Sequence, residues 1–334
     1  MIALLSAIVP ITLAQAEPAE PPPAILTPYI HDGRFDPGDY AWMRGRFDDA
    51  TPEQKAANKA VQEWLNRCLE RGLAQTRREL AALGVPDAKI EDADARNPVC
   101  AAAASAPADL DTRSFDAFSR DVAVARPIAD SFLFAVRLAE ESGQAQVPGL
   151  GPALVARTLG EQMLRAGVGW GEGESADAPP LEPRVKAIVM SRIWAATAAR
   201  DRANTAWLKA KVAAQGWPTI SAVGPPGSSA AWLLVQHADA EPAFQLKALR
   251  LMEPLVAKHE VHPPNFAYLY DRVMLKIRGV QRYGSQATCK DGKRVAQPLE
   301  DAAAVEGLRK EMGMEPMSAY LRSMDEVYGP CPAH

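Results

Sequence analysis

The side chains able to do chemistry concentrate between Gly216 and Gln286, where three of the five histidines lie: His237, His259 and His262. In the run AAWLLVQHAD, His237 follows Leu233 and Leu234 by four and three residues, which sets it on the apolar face of a helix. Imidazole is the side chain whose ordinary pKa lies nearest neutrality, so a histidine held there can take or give a proton. Gln236 and Asp239 flank it, and a carboxylate bonded to one ring nitrogen would fix its tautomer. A core histidine with a satisfied hydrogen bond fits the same pattern without any function.

Other polar residues stand in apolar company. Asp201 and Asn204 share a helical stripe with Val185, Ile188, Ile193 and Leu208, and burying such a pair requires partners. They read either as a structural hydrogen-bond network or as a pocket wall. Gln245 precedes the core residues of the helix expected over 242–258. Asp271 and Arg272 are adjacent on a helix, hence about 100° apart and aimed at different elements. The segment QRYGSQ brings Gln281, Tyr283, Ser285 and Gln286 around one glycine. His259 and His262 sit in KHEVHPP with no carboxylate at helical spacing, so no metal is expected, and no cofactor. His31 reads as a loop histidine. No G-x-S-x-G nucleophile motif occurs, and GVGWGEGESADAPP lacks the phosphate-cradling order, so it reads as a loop.

Helices must position all of these. Thr51-Pro52 opens a helix whose buried stripe runs through Val61, Trp64, Leu65, Cys68 and Leu80, closed by Gly84-Val85-Pro86. Further helices are expected over 114–141, with Pro127 kinking or splitting it, then over 152–166, 182–214, 229–239, 242–258, 265–277, 298–312 and 316–328. Nothing alternates with period two for long, so the fold class is all-α and multi-helix. An N-terminal helical region (29–180) is expected to pack on a motif-bearing helical domain (181–334). Residues 87–111 read as a surface connection.

Residues Ile2 to Leu13 form an apolar run, followed by Ala14-Gln15-Ala16, the form of a secretory signal peptide with an uncharged n-region. A proline-rich tether follows over 17–28. The apolar run is too short to span a bilayer, and a net charge of -4 with no basic run argues against nucleic-acid binding. Export to an oxidising compartment makes disulfides the expectation for the four cysteines, paired locally as Cys68–Cys100 and Cys289–Cys331. Four buried free thiols are the alternative.

The ordered set DRAN (Asp201–Asn204), GWPT, VQHAD, FQ, AYLYDRV and QRYGSQ resembles an uncharacterised bacterial family catalogued as domain of unknown function 6624, over roughly residues 201–321. The family offers no activity to carry over. The resemblance implies that Asp201, Gln236, His237, Asp239, Gln245, Asp271, Arg272, Gln281, Tyr283 and Gln286 form one recurring constellation. The functional expectation is a hydrolase or lyase acting on a small polar ligand. In it His237 is general acid/base, oriented by Asp239 or Asp271; Arg272 binds an anionic group; and Asp201, Asn204 and the Gln and Tyr side chains position substrate. A periplasmic binding or interaction module using the same pocket without turnover is the alternative, and a purely structural polar network the third reading.

Overall fold

A computed structural model describes residues 20–91, 95–108, 110–144, 148–172 and 180–331. The expected leader (1–16) lies outside these residues, as do 173–179 of the glycine-rich segment. The fold is all-α in its main elements: α1 (Pro52–Ala82), α2 (Pro98–Ala104), α3 (Phe115–Gln144), α4 (Leu150–Glu172), α5 (Pro183–Gln215), α6 (Ile220–Gln236), α7 (Pro242–Val256), α8 (Pro263–Arg278), α9 (Val305–Glu311) and α10 (Met317–Tyr328). Two small antiparallel pairs, β1 (Ile30–His31) with β2 (Arg34–Phe35) and β3 (Ala287–Lys290) with β4 (Lys293–Ala296), and two 3-10 turns (Ala24–Tyr29 and Ala41–Arg46) complete the described elements.

Local chemistry explains the boundaries. Thr51 caps α1 in a reciprocal box: its Oγ1 accepts from the Gln54 N–H at 3.3 Å, and its own N–H donates to Gln54 Oε1 at 2.9 Å. Replacing Thr51 by Ala would cost about 1 kcal/mol. The connection expected over 87–111 contains α2, because Asn97 accepts from the N–H groups of Val99 and Cys100 and so starts a helix. α3 runs through Pro127 as one helix, packed on both α4 and α5. α6 is two helical pieces meeting at Gly224, whose φ of 74° is not helical.

Two apolar cores result. One gathers Leu26, Trp42, Trp64, Phe118, Ile188 and Ile193; the other Leu80, Leu208, Leu234, Leu249, Leu269 and Tyr283. α1 and α5 each contribute to both, so α5 passes from the first core to the second between Ile193 and Leu208. The segment expected as a tether is docked from residue 20 onward. Leu26 is fully buried in a 3-10 turn (Ala24–Tyr29), and Glu20 pairs with Arg67 and Arg71 of α1, both at 2.8 Å. Proline blocks an α-helix there, yet permits the 3-10 turn that carries Leu26 inward.

The cysteines divide. Cys289 and Cys331 form a disulfide with Cα atoms 5.5 Å apart, tying the end of the chain to β3. Cys68 and Cys100 are not bonded, which corrects the first expected pair. Both thiols are buried where α2 meets α1. Burial, followed by the neighbouring Cys68, pushes the Cys100 thiol far above its usual range, which disfavours its thiolate.

A polar pocket where four helices converge

α4 and α6 form one of the closest helix contacts in the molecule. At its start, Gly151 and Gly227 touch: a Cβ built on Gly227 would lie 3.0 Å from Gly151 Cα, and one on Gly151 would lie 2.5 Å from the Val223 carbonyl oxygen. Only glycine allows that approach. Ten residues further along each helix (151 to 161, and 227 to 237), Glu161 meets His237. The two helices therefore run side by side in the same direction, with register fixed at one end by glycines and at the other by the Glu161–His237 contact.

Glu161 is 1% exposed, and its Oε1 pairs with Nδ1 of His237, which caps the C-terminal end of α6. Arg165, one turn along α4, donates from Nε to the same oxygen at 2.8 Å and from Nη2 to Asp201 Oδ2 on α5, also at 2.8 Å. Burial opposes ionisation of Glu161, but the bond to His237 and then Arg165 outweigh it and hold its carboxyl below the usual range. Asp201 goes the other way. Burial, with Glu161 and Asp239 nearby, pushes its carboxyl up to about 7 in spite of Arg165. Its Oδ1 is buried without a partner.

His237, Arg165 and Asp201 line a cavity of about 380 Å³ between α4, α5 and the α6–α7 turn, together with Trp194, Arg202, Thr205, Asp239 and Glu241. With Nδ1 committed to Glu161, Nε2 is the ring nitrogen left to His237 for a ligand. On the rim, Arg272 of α8 grips Asp239 with both prongs, at 2.9 and 2.6 Å. Burial again opposes ionisation there, and this fork followed by Lys276 keeps Asp239 below the usual range.

The sequence-derived candidates thus separate. His237, Asp239 and Asp201 line the pocket, and Arg272 reaches it through Asp239. Asn204 is buried beside it and accepts from Arg157 Nη1 at 3.2 Å. Gln245 is fully buried. Its amide donates to the carbonyls of Val235 and Gln236 and to Asp239 Oδ1, at 3.1, 3.2 and 3.3 Å, so it shapes the turn that presents His237. Gln236, 7% exposed, belongs to the same turn.

Asp271, Gln281, Tyr283 and Gln286 lie elsewhere. Asp271 is fully buried; its Oδ1 accepts from the N–H groups of Arg282 (2.8 Å) and Tyr283 (2.9 Å), and its Oδ2 from Ser285 N–H (2.8 Å). Gln281, also fully buried, donates to the carbonyls of Gln286 and Gln297 and accepts from the Gln286 N–H. Tyr283 packs edge-on to Tyr270. This is a closed knot that anchors the 281–286 loop on α8. The carboxylate on His237 is Glu161, which corrects the expectation of Asp239 or Asp271: one is held by Arg272, the other by three backbone N–H groups.

Sequence reading passed over Glu161 and Arg165 because an i,i+4 Glu/Arg pair looks like an ordinary solvated helix face. Gly160 was the available signal, since a Cβ there would fall 1.8 Å from Glu140 Oε1 on α3, marking a face pressed into the protein. Among the described residues no three His, Cys, Asp or Glu side chains form a group able to hold a metal ion, and no helix is long and apolar enough to cross a membrane.

The model of a family of unknown function (DUF6624) matches residues 153–331, just over half of the 334 residues. The matched span begins earlier than the motif set did and takes in α4, hence Glu161 and Arg165 as well as Asp201, His237 and Asp239. No curated protein and no solved structure matches the chain.

Proposed function

The chain belongs to the DUF6624 family, and from that premise we propose that the pocket between α4, α5 and the α6–α7 turn is an acid–base site acting on a small polar substrate, as a hydrolase or lyase. One observation carries the reading: a histidine held by a buried carboxylate faces the same cavity as a second carboxyl whose pKa lies at about 7. The two carboxyls, Glu161 and Asp201, are pushed apart in acidity by their surroundings, which suits a site that moves protons at neutral pH. Glu161, ionised, holds the Nδ1 proton, so His237 Nε2 takes a proton from an attacking water or from the substrate. Asp201, protonated below about 7, gives one to the leaving atom. Arg165 bridges Glu161 and Asp201 and fixes their spacing. We also propose export. The sequence of residues 1–16 and the Cys289–Cys331 bond support it.

The test is turnover of chromogenic esters, amides, phosphoesters and glycosides by the native protein and by His237→Gln and Asp201→Asn. The expected result is turnover within one class, reduced about 10²–10⁴-fold in each variant. Turnover that His237→Gln leaves intact would remove the site. Absence of turnover, with thermal stabilisation by a panel compound that His237→Gln abolishes, would replace catalysis by the binding-module alternative.

A further inference from the structure

The pocket has one feature that proton transfer does not use. Trp194 is 44% exposed and lines the cavity. The chain has seven tryptophans. Trp42, Trp64 and Trp217 are buried; Trp170 packs on Phe132, Trp207 takes Arg157 at 4.2 Å, and Trp232 packs on Tyr268. Trp194 alone is an exposed large apolar side chain, and among the described residues it has no ring, cation or hydrogen-bond partner. An indole face left in water forgoes the gain of burial, and because this one lies inside the cavity that holds His237 and Asp201, a ligand in that cavity would cover it.

Its place on α5 says where such a ligand would lie. Trp194, Ala198, Asp201 and Thr205 follow one another at i, i+4, i+7 and i+11, one stripe of the helix, and all four line the pocket. At 1.5 Å per residue, Asp201 sits about 10 Å along the axis from Trp194. A ring stacked on the indole therefore leaves room for one adjoining ring before the acidic group is reached.

The rest of the lining narrows the chemistry. Among the described residues Trp194 is the one Phe, Tyr or Trp on the cavity wall, and the other ring there, the His237 imidazole, is held by Glu161 and not offered as a second stacking platform. Of the cations on the wall, Arg165 is neutralised by Glu161 and Asp201, and Arg202 gives its guanidinium to the carbonyls of Ala198 and Ala95; at the rim Arg272 holds Asp239, so an anionic ligand would have to break those bonds. The acceptors at hand are Asp201, whose Oδ1 has no partner among the described residues, the hydroxyls of Ser105 and Thr205, and the remaining lone pairs of Asp239 and Glu241, which also hold Arg272 and Lys209. Acceptor-rich walls with an apolar platform suit a molecule that is puckered, neutral and rich in O–H donors.

We propose that the substrate is a neutral carbohydrate, one of whose sugar rings stacks on the indole of Trp194 while the adjoining unit extends along α5 towards Asp201. This rests on the acid–base reading of the same pocket and supplies its substrate class.

The experiment measures binding of neutral trisaccharides (of glucose, N-acetylglucosamine, xylose, mannose and galactose) by calorimetry and indole fluorescence. It compares the native chain with Trp194→Ala, Trp194→Phe and Asp201→Asn. The expected result is that at least one trisaccharide binds, that Trp194→Ala weakens it about tenfold, the scale of a stacking contact, and that Trp194→Phe restores most of the loss. Because Trp194 is exposed, the variants should keep the native circular dichroism. Binding by none of the sugars would overturn the proposal. So would binding that Trp194→Ala leaves unchanged, or Trp194-dependent binding of adenosine or guanosine instead. Asp201→Asn separates the two claims: retained sugar binding with lost turnover supports both, whereas turnover of a non-glycosidic panel substrate without sugar binding removes only the substrate class.

Discussion

Asp271 and Asp201 are both aspartates packed against apolar cores, and their surroundings differ in one respect. Around Asp271 three backbone N–H groups use both oxygens, and the residue is fully buried. Around Asp201 one oxygen is held by Arg165, the other has no partner, and a cavity of about 380 Å³ opens beside it. Burial raises the pKa of both. Only at Asp201 is there a place for the proton to go. A buried polar cluster with every bond made holds a loop in place; one with capacity left over, facing a void, can act on a ligand.

That contrast can be broken at either cluster, and the largest effect is expected in the closed one. Asp271→Ala orphans three buried N–H groups at about 1–3 kcal/mol each. Urea melts should show a loss of several kcal/mol, with any ligand response of the surviving folded fraction unchanged. A variant as stable as the native chain would mean that the knot does not hold the 281–286 loop.

Next in size is the bond behind that loop. Cys289–Cys331 closes a 42-residue separation, worth about 4 kcal/mol in the chain-entropy model. Reduction should lower the melting temperature without altering the pocket. Peptide mapping under non-reducing conditions should recover this link and leave Cys68 and Cys100 as free thiols. A recovered Cys68–Cys100 link would contradict the structure at α1 and α2.

Much of the closed cluster's setting was legible in the sequence, and little of the open one's. Helix starts were readable where a cap and a proline coincide, as at Thr51-Pro52, and the residues of the Asp271 knot are close in the chain. The β3–β4 hairpin was missed although Asp291-Gly292, both with positive φ (51° and 71°), is the two-residue turn that signals one. The pocket was harder because its parts come from α4, α5, α6 and α8, and no local pattern records that Glu161 stands 76 positions before the histidine it holds. The polar motifs also could not be sorted. Adjacency places Asp271 beside Arg272 in the chain, while packing sends one into the core and the other to the pocket rim.

In the open cluster the expected stability changes are smaller and one is reversed. A carboxyl whose native pKa lies above its unfolded value binds its proton more tightly in the folded state. Stability therefore falls as pH rises between about 4 and about 7, and the cost is fully present above that. Asp201→Asn should then stabilise the protein at pH 8 by roughly 1–3 kcal/mol and change little at pH 4. Glu161 has the opposite sign. Its lowered pKa contributes stability above the unfolded value near 4.5, lost as pH falls through the native one. A destabilised Asp201→Asn at pH 8 would make Asp201 part of a structural network like that of Asp271.

The smallest change is expected at the residue most central to function. His237→Gln keeps a donor for Glu161 at similar volume and should cost less than about 1 kcal/mol, while ligand-induced stabilisation or turnover disappears. A variant that melts early yet answers ligand as the native chain does would return His237 to the role of a core histidine.

The most direct measurement is the titration of the Asp201 carboxyl itself, followed by carbon NMR of aspartate-labelled protein and assigned by its loss in Asp201→Asn. A midpoint at about 7 is expected in the native chain. A lower midpoint is expected in Glu161→Gln, where a repelling charge is gone, and a higher one in Arg165→Gln, where the attracting charge is gone. An Asp201 that titrates in the ordinary aspartate range near 3.9 and ignores both substitutions would contradict the claim that this pocket is built for proton transfer.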